Sequence, residues 1–325
     1  MNADKASVCV IIPAWNAEKT IGRAINSALD QKEVDEVFVV DDASTDATVA
    51  VASASCDGTQ RLRVIRQAQN SGPSAARNLA IAQSTAPYLA ILDSDDFFLP
   101  GRFAPLLTLP GWDALADNLA FIKEAHAPSF DAAKLRMFDT NPKRLSLAEF
   151  VRGNISHPNR PRAELGFAKP LIKRAFLDKH DLRYDENLRL GEDYALYARI
   201  LTLGGAFLQV QRCGYIAVER GSSLSANHRT ADLLALLAFD KDLLNIVLDE
   251  DTRSVIHLHM IQLNLKVNHR NFLHDKKING FLPAMFNIMG EPQMLFDVAK
   301  LVLRDKLEFL RGQSTSSAEL RYLFN

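Results

Sequence analysis

The chain has 325 residues, enough for one large domain or two of ordinary size. Hydrophobic residues make up 47% and charged residues 24%, which excludes a disordered chain, a fibrous repeat and a coiled coil. Lys plus Arg number 38 and Asp plus Glu 39, a net charge of −1, so no nucleic acid is expected as a partner.

Met1 to Ser7 is polar and lacks the basic start and long apolar stretch of a signal peptide. No run of about 20 apolar residues is present, so no spanning helix is expected. Cys9, Cys56 and Cys213 are too few and too scattered for a disulfide framework or a zinc site. A reducing, cytoplasmic compartment is therefore expected.

Val8 to Ile12 is a β-branched apolar run closed by Pro13, and it predicts a fully buried strand. Asn16 is placed to cap the next helix, in which Ile21, Ala24, Ile25, Ala28 and Leu29 form one apolar stripe. Val37 to Val40 predicts a second strand that runs into Asp41 and Asp42. Ser44, Thr45 and Asp46 then supply capping groups for a second helix. Leu62 to Ile65 predicts a third strand, and Asn70 to Ser74 turns the chain into a third helix, Ala75 to Gln83. Tyr88 to Leu92 predicts a fourth strand, stopping at Asp93.

Strands alternating with helices through short connections imply right-handed βαβ units and a mostly parallel sheet in an α/β fold. In such sheets ligands bind beyond the carboxyl ends of the strands. Those ends carry Asp41 and Asp42 after the second strand and Asp93, Asp95 and Asp96 after the fourth. Five carboxylates at one sheet edge repel one another and lose hydration. Their convergence points to a site holding a divalent cation with hard oxygen ligands.

Other nucleotide chemistries lack their motifs. The first turn, Pro13 to Glu18, has no glycine, which excludes a dinucleotide fingerprint. No phosphate-cradling Gly-Lys-Ser/Thr loop and no Gly-x-Ser-x-Gly nucleophile elbow occurs. His257 and His259 lie on a helical pattern that points them in different directions, so they are not expected to share a metal.

Five ordered segments resemble glycosyltransferase family 2, the inverting enzymes of the nucleotide-diphospho-sugar-binding GT-A fold. They are Val10 to Asn16, Val39 to Asp46, Asn70 to Asn78, Leu92 to Asp96 with Pro100 behind it, and Gly191 to Asp193 with Leu196 and Arg199 following. The resemblance covers residues 7 to 225. It implies that Asp42 accepts a hydrogen bond from the nucleotide base, with Asp41 as a second candidate, and that Pro13 and Trp15 flank the base or ribose. It implies that Arg77 approaches the nucleotide. Asp93, Ser94 and Asp95 are similar to the family's Asp-x-Asp motif. Asp95 would hold Mg²⁺ or Mn²⁺, and Asp93 the ribose or a metal-bound water. Asp96 is adjacent and shares that candidacy, and His228 is a further candidate ligand. Asp193 is similar to the carboxylate that takes the acceptor's proton; as a general base it contributes about 10²–10⁴-fold.

The resulting expectation is a catalytic domain over 1–228, with a nucleotide-sugar half (about 1–100) and an acceptor half (about 101–228), followed by a helical region over 229–325. Within it, Gly166 to Ile172 predicts a strand leading into a helix and Tyr194 to Leu203 a second helix. His157 to Arg162 reads as either a mobile acceptor loop or an ordinary surface connection, and the resemblance implies that Gly221 to Ser225 is a loop that closes over the diphosphate. Leu233 to Leu244 predicts an apolar helix serving as core or homodimer contact. The basic residues between Arg253 and Lys277, and the amphipathic stretch Val298 to Arg311, suit peripheral contact with anionic lipid over residues 253–311. The organisation resembles bacterial exopolysaccharide glucosyltransferases of the succinoglycan type. They act at the cytoplasmic face of the inner membrane, moving a sugar from a UDP-sugar to a lipid-linked oligosaccharide. A nucleotidyltransferase and a nucleotide-sugar-binding protein without activity are the competing readings.

Overall fold

The computed structural model describes residues 7–135, 141–156, 164–219, 229–288 and 320–324. The chain divides into two compact units, one of residues 1–223 with 319–325 and one of residues 224–318.

The first unit is built on β1 (Val8–Ala14), α1 (Ile21–Leu29), β2 (Val34–Asp41), α2 (Thr48–Ala54), β3 (Leu62–Arg66), α3 (Pro73–Gln83) and β4 (Tyr88–Ile91). β1 pairs in parallel with β2 on one side and β4 on the other, and β3 pairs in parallel with β2. Central pairing explains the unbroken apolar run of β1, whose Val8 to Ile12 are all fully buried. The stripe Ile21, Ala24, Ile25, Ala28 and Leu29 is the buried face of α1. Each buried Ile or Leu contributes roughly 1.5–3 kcal/mol.

Asn16 does not cap α1, which begins after Thr20 without a side-chain cap. It takes a left-handed φ of 49° and clips two loops together instead. Its amide donates to Ser44 Oγ at 2.8 Å, and its Oδ1 accepts from the Thr45 amide at 2.9 Å. The N-cap of α2 is Ala47, which supplies no side-chain cap; Asp46, one residue earlier, accepts from the Thr48 amide at 3.0 Å through Oδ1.

The later half of the unit adds β5 (Phe97–Phe98), α4 (Phe103–Leu107), β6 (Ala114–Lys123), β7 (Lys143–Arg144), α5 (Leu147–Arg152), β8 (Leu171–Lys173), α6 (Arg174–Lys179), α7 (Glu192–Thr202) and β9 (Phe207–Glu219). The sheet runs β3-β2-β1-β4-β8-β6-β9-β5, with β7 paired to β9. The long parallel pair β6–β9 and the antiparallel β8 that joins it to β4 make this half mixed rather than parallel.

The chain's end corrects the expectation of a wholly helical region over 229–325. Residues 319–325 belong to the first unit, where β10 (Arg321–Tyr322) pairs antiparallel with β6. The reason is a two-point grip. Asn118 Nδ2 donates to the Phe324 carbonyl and Asn118 Oδ1 accepts from the Phe324 amide, each at 2.9 Å. Tyr322, Leu323 and Phe324 are buried with it.

In the second unit, α8 (Thr230–Ile246), α9 (Glu250–Asn279) and α10 (Phe281–Ile288) form a helical assembly. Leu233, Leu236, Leu237, Leu243 and Leu244 of α8 are buried, and α8 packs on α9. His259 is buried against Asp240 at 2.7 Å, whereas His257 is exposed, so the two histidines do part. No described helix is long and apolar enough to cross a membrane. The loops His157 to Arg162 and Gly221 to Ser225, His228, and the stretch Val298 to Arg311 lie outside the described residues.

One buried ion pair braces the later half of the first unit. Arg102 binds Asp117 through Nε at 3.1 and 3.0 Å and through Nη2 at 2.7 Å, with both side chains inaccessible. Gly214 makes room for it, since a Cβ there would overlap Asp117 and Arg102. Removing one partner of such a pair leaves an uncompensated charge and costs about 3–5 kcal/mol. Asp117→Ala is therefore expected to lose about that much in urea unfolding. A loss under about 1 kcal/mol would contradict the assignment.

Candidate functional site

The carboxyl ends of β1, β2 and β4 open on one edge, and the start of α7 faces them. Trp15 follows β1 and is 44% exposed, a free aromatic face beside the half-buried Pro13. The expected group of carboxylates is present there, and the protein's own donors engage Asp41, Asp42, Asp93 and Asp96.

Asp42 Oδ1 accepts from the Ser71 amide at 2.7 Å and Oδ2 from the Gly72 amide at 2.8 Å. It thereby pins the turn in which Gly72 takes a φ of 89° and Pro73 opens α3. Asp41 is fully buried. Its Oδ2 accepts from the Ser44 amide at 3.1 Å and lies 3.6 Å from Arg66 Nε, while Oδ1 is buried without a hydrogen-bond partner.

Asp96 separates from Asp95. It is buried, with Oδ2 accepting from the Tyr215 hydroxyl at 2.7 Å and Oδ1 from the Val218 amide at 2.8 Å. Burial, then the charges of Asp95 and Asp93, push its carboxyl well above the usual range. Both oxygens are thus engaged by the protein itself, which gives Asp96 a loop-shaping part. Tyr215 completes that part by accepting from the Asp93 amide at 3.1 Å. Ser94 and Asp95 are partly exposed at the tip of the loop, where Arg23 holds the Asp95 carbonyl at 2.6 Å.

Asp93 and Asp193 meet through two cations. Arg77 of α3 is only 3% exposed. Its Nη1 donates to Glu192 Oε1 at 2.7 Å, its Nη2 to Asp93 Oδ1 at 3.4 Å, and Asp193 Oδ1 is 3.7 Å away. Lys169, 7% exposed, places Nζ 2.8 Å from Asp193 Oδ2 and 3.0 Å from Asp93 Oδ2. Burial works against both charges, but Asp193, Glu192 and Asp93 hold Arg77 protonated, and Asp193 and Asp93 do the same for Lys169. Burial likewise opposes the Asp93 charge, yet Lys169 and Arg77 outweigh it and lower its carboxyl below the ordinary range.

Arg77 thus turns its guanidinium to carboxylates rather than lying open to a ligand. Its neighbour Asn78 holds the Tyr184 backbone at both ends, donating to the carbonyl and accepting from the amide at 2.9 Å each. Tyr184 then lies under Arg77, 5.0 Å from ring centre to guanidinium. Lys169 and Tyr184 are the residues that sequence reasoning missed. The available signal was Lys169 itself, a charge inside the apolar run Gly166 to Ile172.

Among the described residues no group of three or more His, Cys, Asp or Glu is arranged to hold a metal. The donor set still suits Mg²⁺ or Mn²⁺, which Asp95 would hold. Such ions are commonly bound by one or two carboxylates with water and substrate phosphates, not by an all-protein cage.

Residues 9–162 match the family described as Glycosyl transferase family 2. The chain is 46% identical over 329 residues to succinoglycan biosynthesis protein ExoU of Rhizobium meliloti, covering 99% of this chain and 96% of that one. Among solved structures, Staphylococcus aureus TarS residues 1–349 in complex with UDP-GlcNAc aligns with a TM-score of 0.59 at 21% identity, over 90% of this chain and 79% of that one. A mannosyltransferase from Pyrobaculum calidifontis with GDP-mannose and Mn²⁺ aligns with a TM-score of 0.55 at 18% identity, over 93% and 80%.

Asp42→Asn tests the turn. Asparagine keeps one acceptor oxygen and turns an NH₂ toward the second backbone N–H. The expected cost is about 1–3 kcal/mol of stability in urea unfolding. An unchanged midpoint would show that Asp42 does not pin residues 71–72.

Proposed function

The chain belongs to glycosyltransferase family 2 and carries its GT-A fold, and from that premise we propose an inverting, divalent-cation-dependent transfer of glucose from UDP-glucose to a lipid-linked acceptor of a succinoglycan-type polysaccharide. One observation carries the reading. Arg77 and Lys169, both buried, draw the half-buried Asp93 of the Asp-Ser-Asp segment and Asp193 of the Gly-Glu-Asp segment into one cluster, although they lie far apart in sequence.

In this reading the base lies against Trp15 and Pro13, and Asp42 and Asp41 receive its N–H. Each Asp42 oxygen keeps a second lone pair for that purpose. Asp93 and Ser94 border the ribose and the diphosphate. A divalent cation at Asp95 supplies Lewis-acid stabilisation of the leaving diphosphate, with Asp93 beside it. Asp193 Oδ1 is buried without a hydrogen-bond partner and so has lone pairs to spend. It takes the proton of the acceptor hydroxyl as that oxygen bonds to the anomeric carbon. The bond from that carbon to the phosphate oxygen breaks in the same displacement, and its electron pair leaves with UDP. One displacement inverts the centre and needs no covalent nucleophile.

Contact with a lipid surface, which the acceptor would make useful, is supported by the end of α9 and by α10. Ile278, Phe281, Leu282 and Phe286 are exposed beside Lys276 and Lys277.

Two measurements test the reading. UDP binding by calorimetry should strengthen on adding Mn²⁺, and Asp95→Ala should abolish the increment. Equal affinity in EDTA and Mn²⁺ would count against the cation. Asp193→Asn should lower kcat by about 10²–10⁴ while UDP affinity and melting stay near the parent's. Parental turnover with lowered melting would make Asp193 a helix-end carboxylate only.

A further inference from the structure

The Asp193 carboxylate has two cations in reach and uses them unequally. Lys169 Nζ is at hydrogen-bond distance from Oδ2, 2.8 Å, while Arg77 Nη1 stands 3.7 Å from Oδ1, beyond it. Oδ1 makes no hydrogen bond of good geometry, and neither does the buried Tyr184 hydroxyl, which lies close enough to Asp193 to interact with it. The guanidinium is committed elsewhere, to Glu192 at 2.7 Å and to Asp93 at 3.4 Å.

The lysine itself has little freedom. Arg102, already clamped to Asp117, donates through Nη2 to the Lys169 carbonyl. The Tyr197 hydroxyl donates to the Ala168 carbonyl at 3.0 Å. Tyr197 lies on α7, one turn after Asp193, so the ammonium and the carboxylate it holds are referenced to the same helix. Pro170 follows and fixes φ on the other side.

We propose that Lys169 is a positioning residue for sugar transfer. Its ammonium anchors Asp193 Oδ2, keeps the carboxylate from closing onto Arg77, and ties Asp193 to Asp93 so that the acceptor and donor sides hold a fixed spacing. The proposal rests on Asp193 being the proton acceptor.

Two effects follow from losing Lys169. Three carboxylates, Asp93, Glu192 and Asp193, are left to one guanidinium and repel. Asp193 then turns to make a two-pronged pair with Arg77, the favoured geometry for a guanidinium and a carboxylate, and Oδ1 is no longer the spare oxygen. A displacement near 1 Å at a reacting group costs on the order of 10²-fold in rate.

The experiment is a kinetic double-mutant cycle with Lys169→Met and Asp193→Asn, measuring kcat, UDP affinity and melting of the full chain. Lys169→Met alone should lower kcat by about 10–100-fold. In the Asp193→Asn background the same change should lower it by less than about 3-fold, because a residue acting through Asp193 has nothing left to position. A lysine that merely supports the fold would lower kcat by the same factor in both backgrounds, and that result would overturn the proposal. Parental kcat in Lys169→Met, with Asp193→Asn inactive, would overturn it as well while leaving Asp193 as the base. Parental kcat in Asp193→Asn would instead remove the base and the proposal together. If Lys169→Met does not fold, the cycle is run with Lys169→Gln, which is one atom shorter but keeps a hydrogen-bond donor without the charge, and it carries the same expectations.

Discussion

A guanidinium with almost no access to water holds the two sides of this site together. Arg77 sits on α3, directly after the turn that Asp42 pins, and reaches Asp93 at the end of β4 and Glu192 at the start of α7. An unpaired charge at that depth costs several kcal/mol, so α3, β4 and α7 cannot separate without exposing or orphaning it. The same helix turn supplies Asn78, whose amide holds Tyr184 beneath the guanidinium. The Arg77 and Asn78 pair therefore does in this fold what a disulfide does elsewhere: it fixes elements distant in sequence. It also leaves a charge pattern that a ligand can use.

The carboxylates around it divide by what each oxygen already touches. Asp42 and Asp96 spend their oxygens on backbone amides and a tyrosine, and they shape loops. Asp93 is neutralised by Arg77 and Lys169. Asp95 stands at the loop tip with access to solvent, and Asp193 keeps one oxygen without a partner. Two buried cations against three carboxylates leave the cluster short of positive charge, a sign that suits a cation arriving with a nucleotide sugar.

Much of this was legible in the sequence, and the limits were physical. The first four strands are short β-branched runs between turn residues, so the pattern of apolar positions identifies them without tertiary information. The clustered strand-end aspartates were readable for the same reason, whereas Asp193 stood out only through the resemblance of Gly191 to Asp193 to the family's segment. β6 and β9 were not, because charged and amide residues interrupt them. Asp117 and Asn118 sit mid-strand in β6, and they are tolerated only because Arg102 and the Phe324 backbone pair with them. Those partners come from elsewhere in the chain, and no local pattern announces them. The division between Asp95 and Asp96 depends on Tyr215, and the place of Lys169 depends on Arg102, for the same reason. The return of the last residues to β6 rests on the side chain of Asn118.

The account's central claim is that Arg77 is held by its carboxylates and they by it. The most direct test is a stability cycle with Arg77→Met and Glu192→Gln, read by urea unfolding. Arg77→Met alone should be strongly destabilising, because Glu192 is left as a half-buried, uncompensated charge beside Asp193. Adding Glu192→Gln to that variant should recover stability, with a coupling energy of at least about 1 kcal/mol between the two positions. Strictly additive losses would mean that the pair contributes nothing beyond its separate parts, and would contradict the claim.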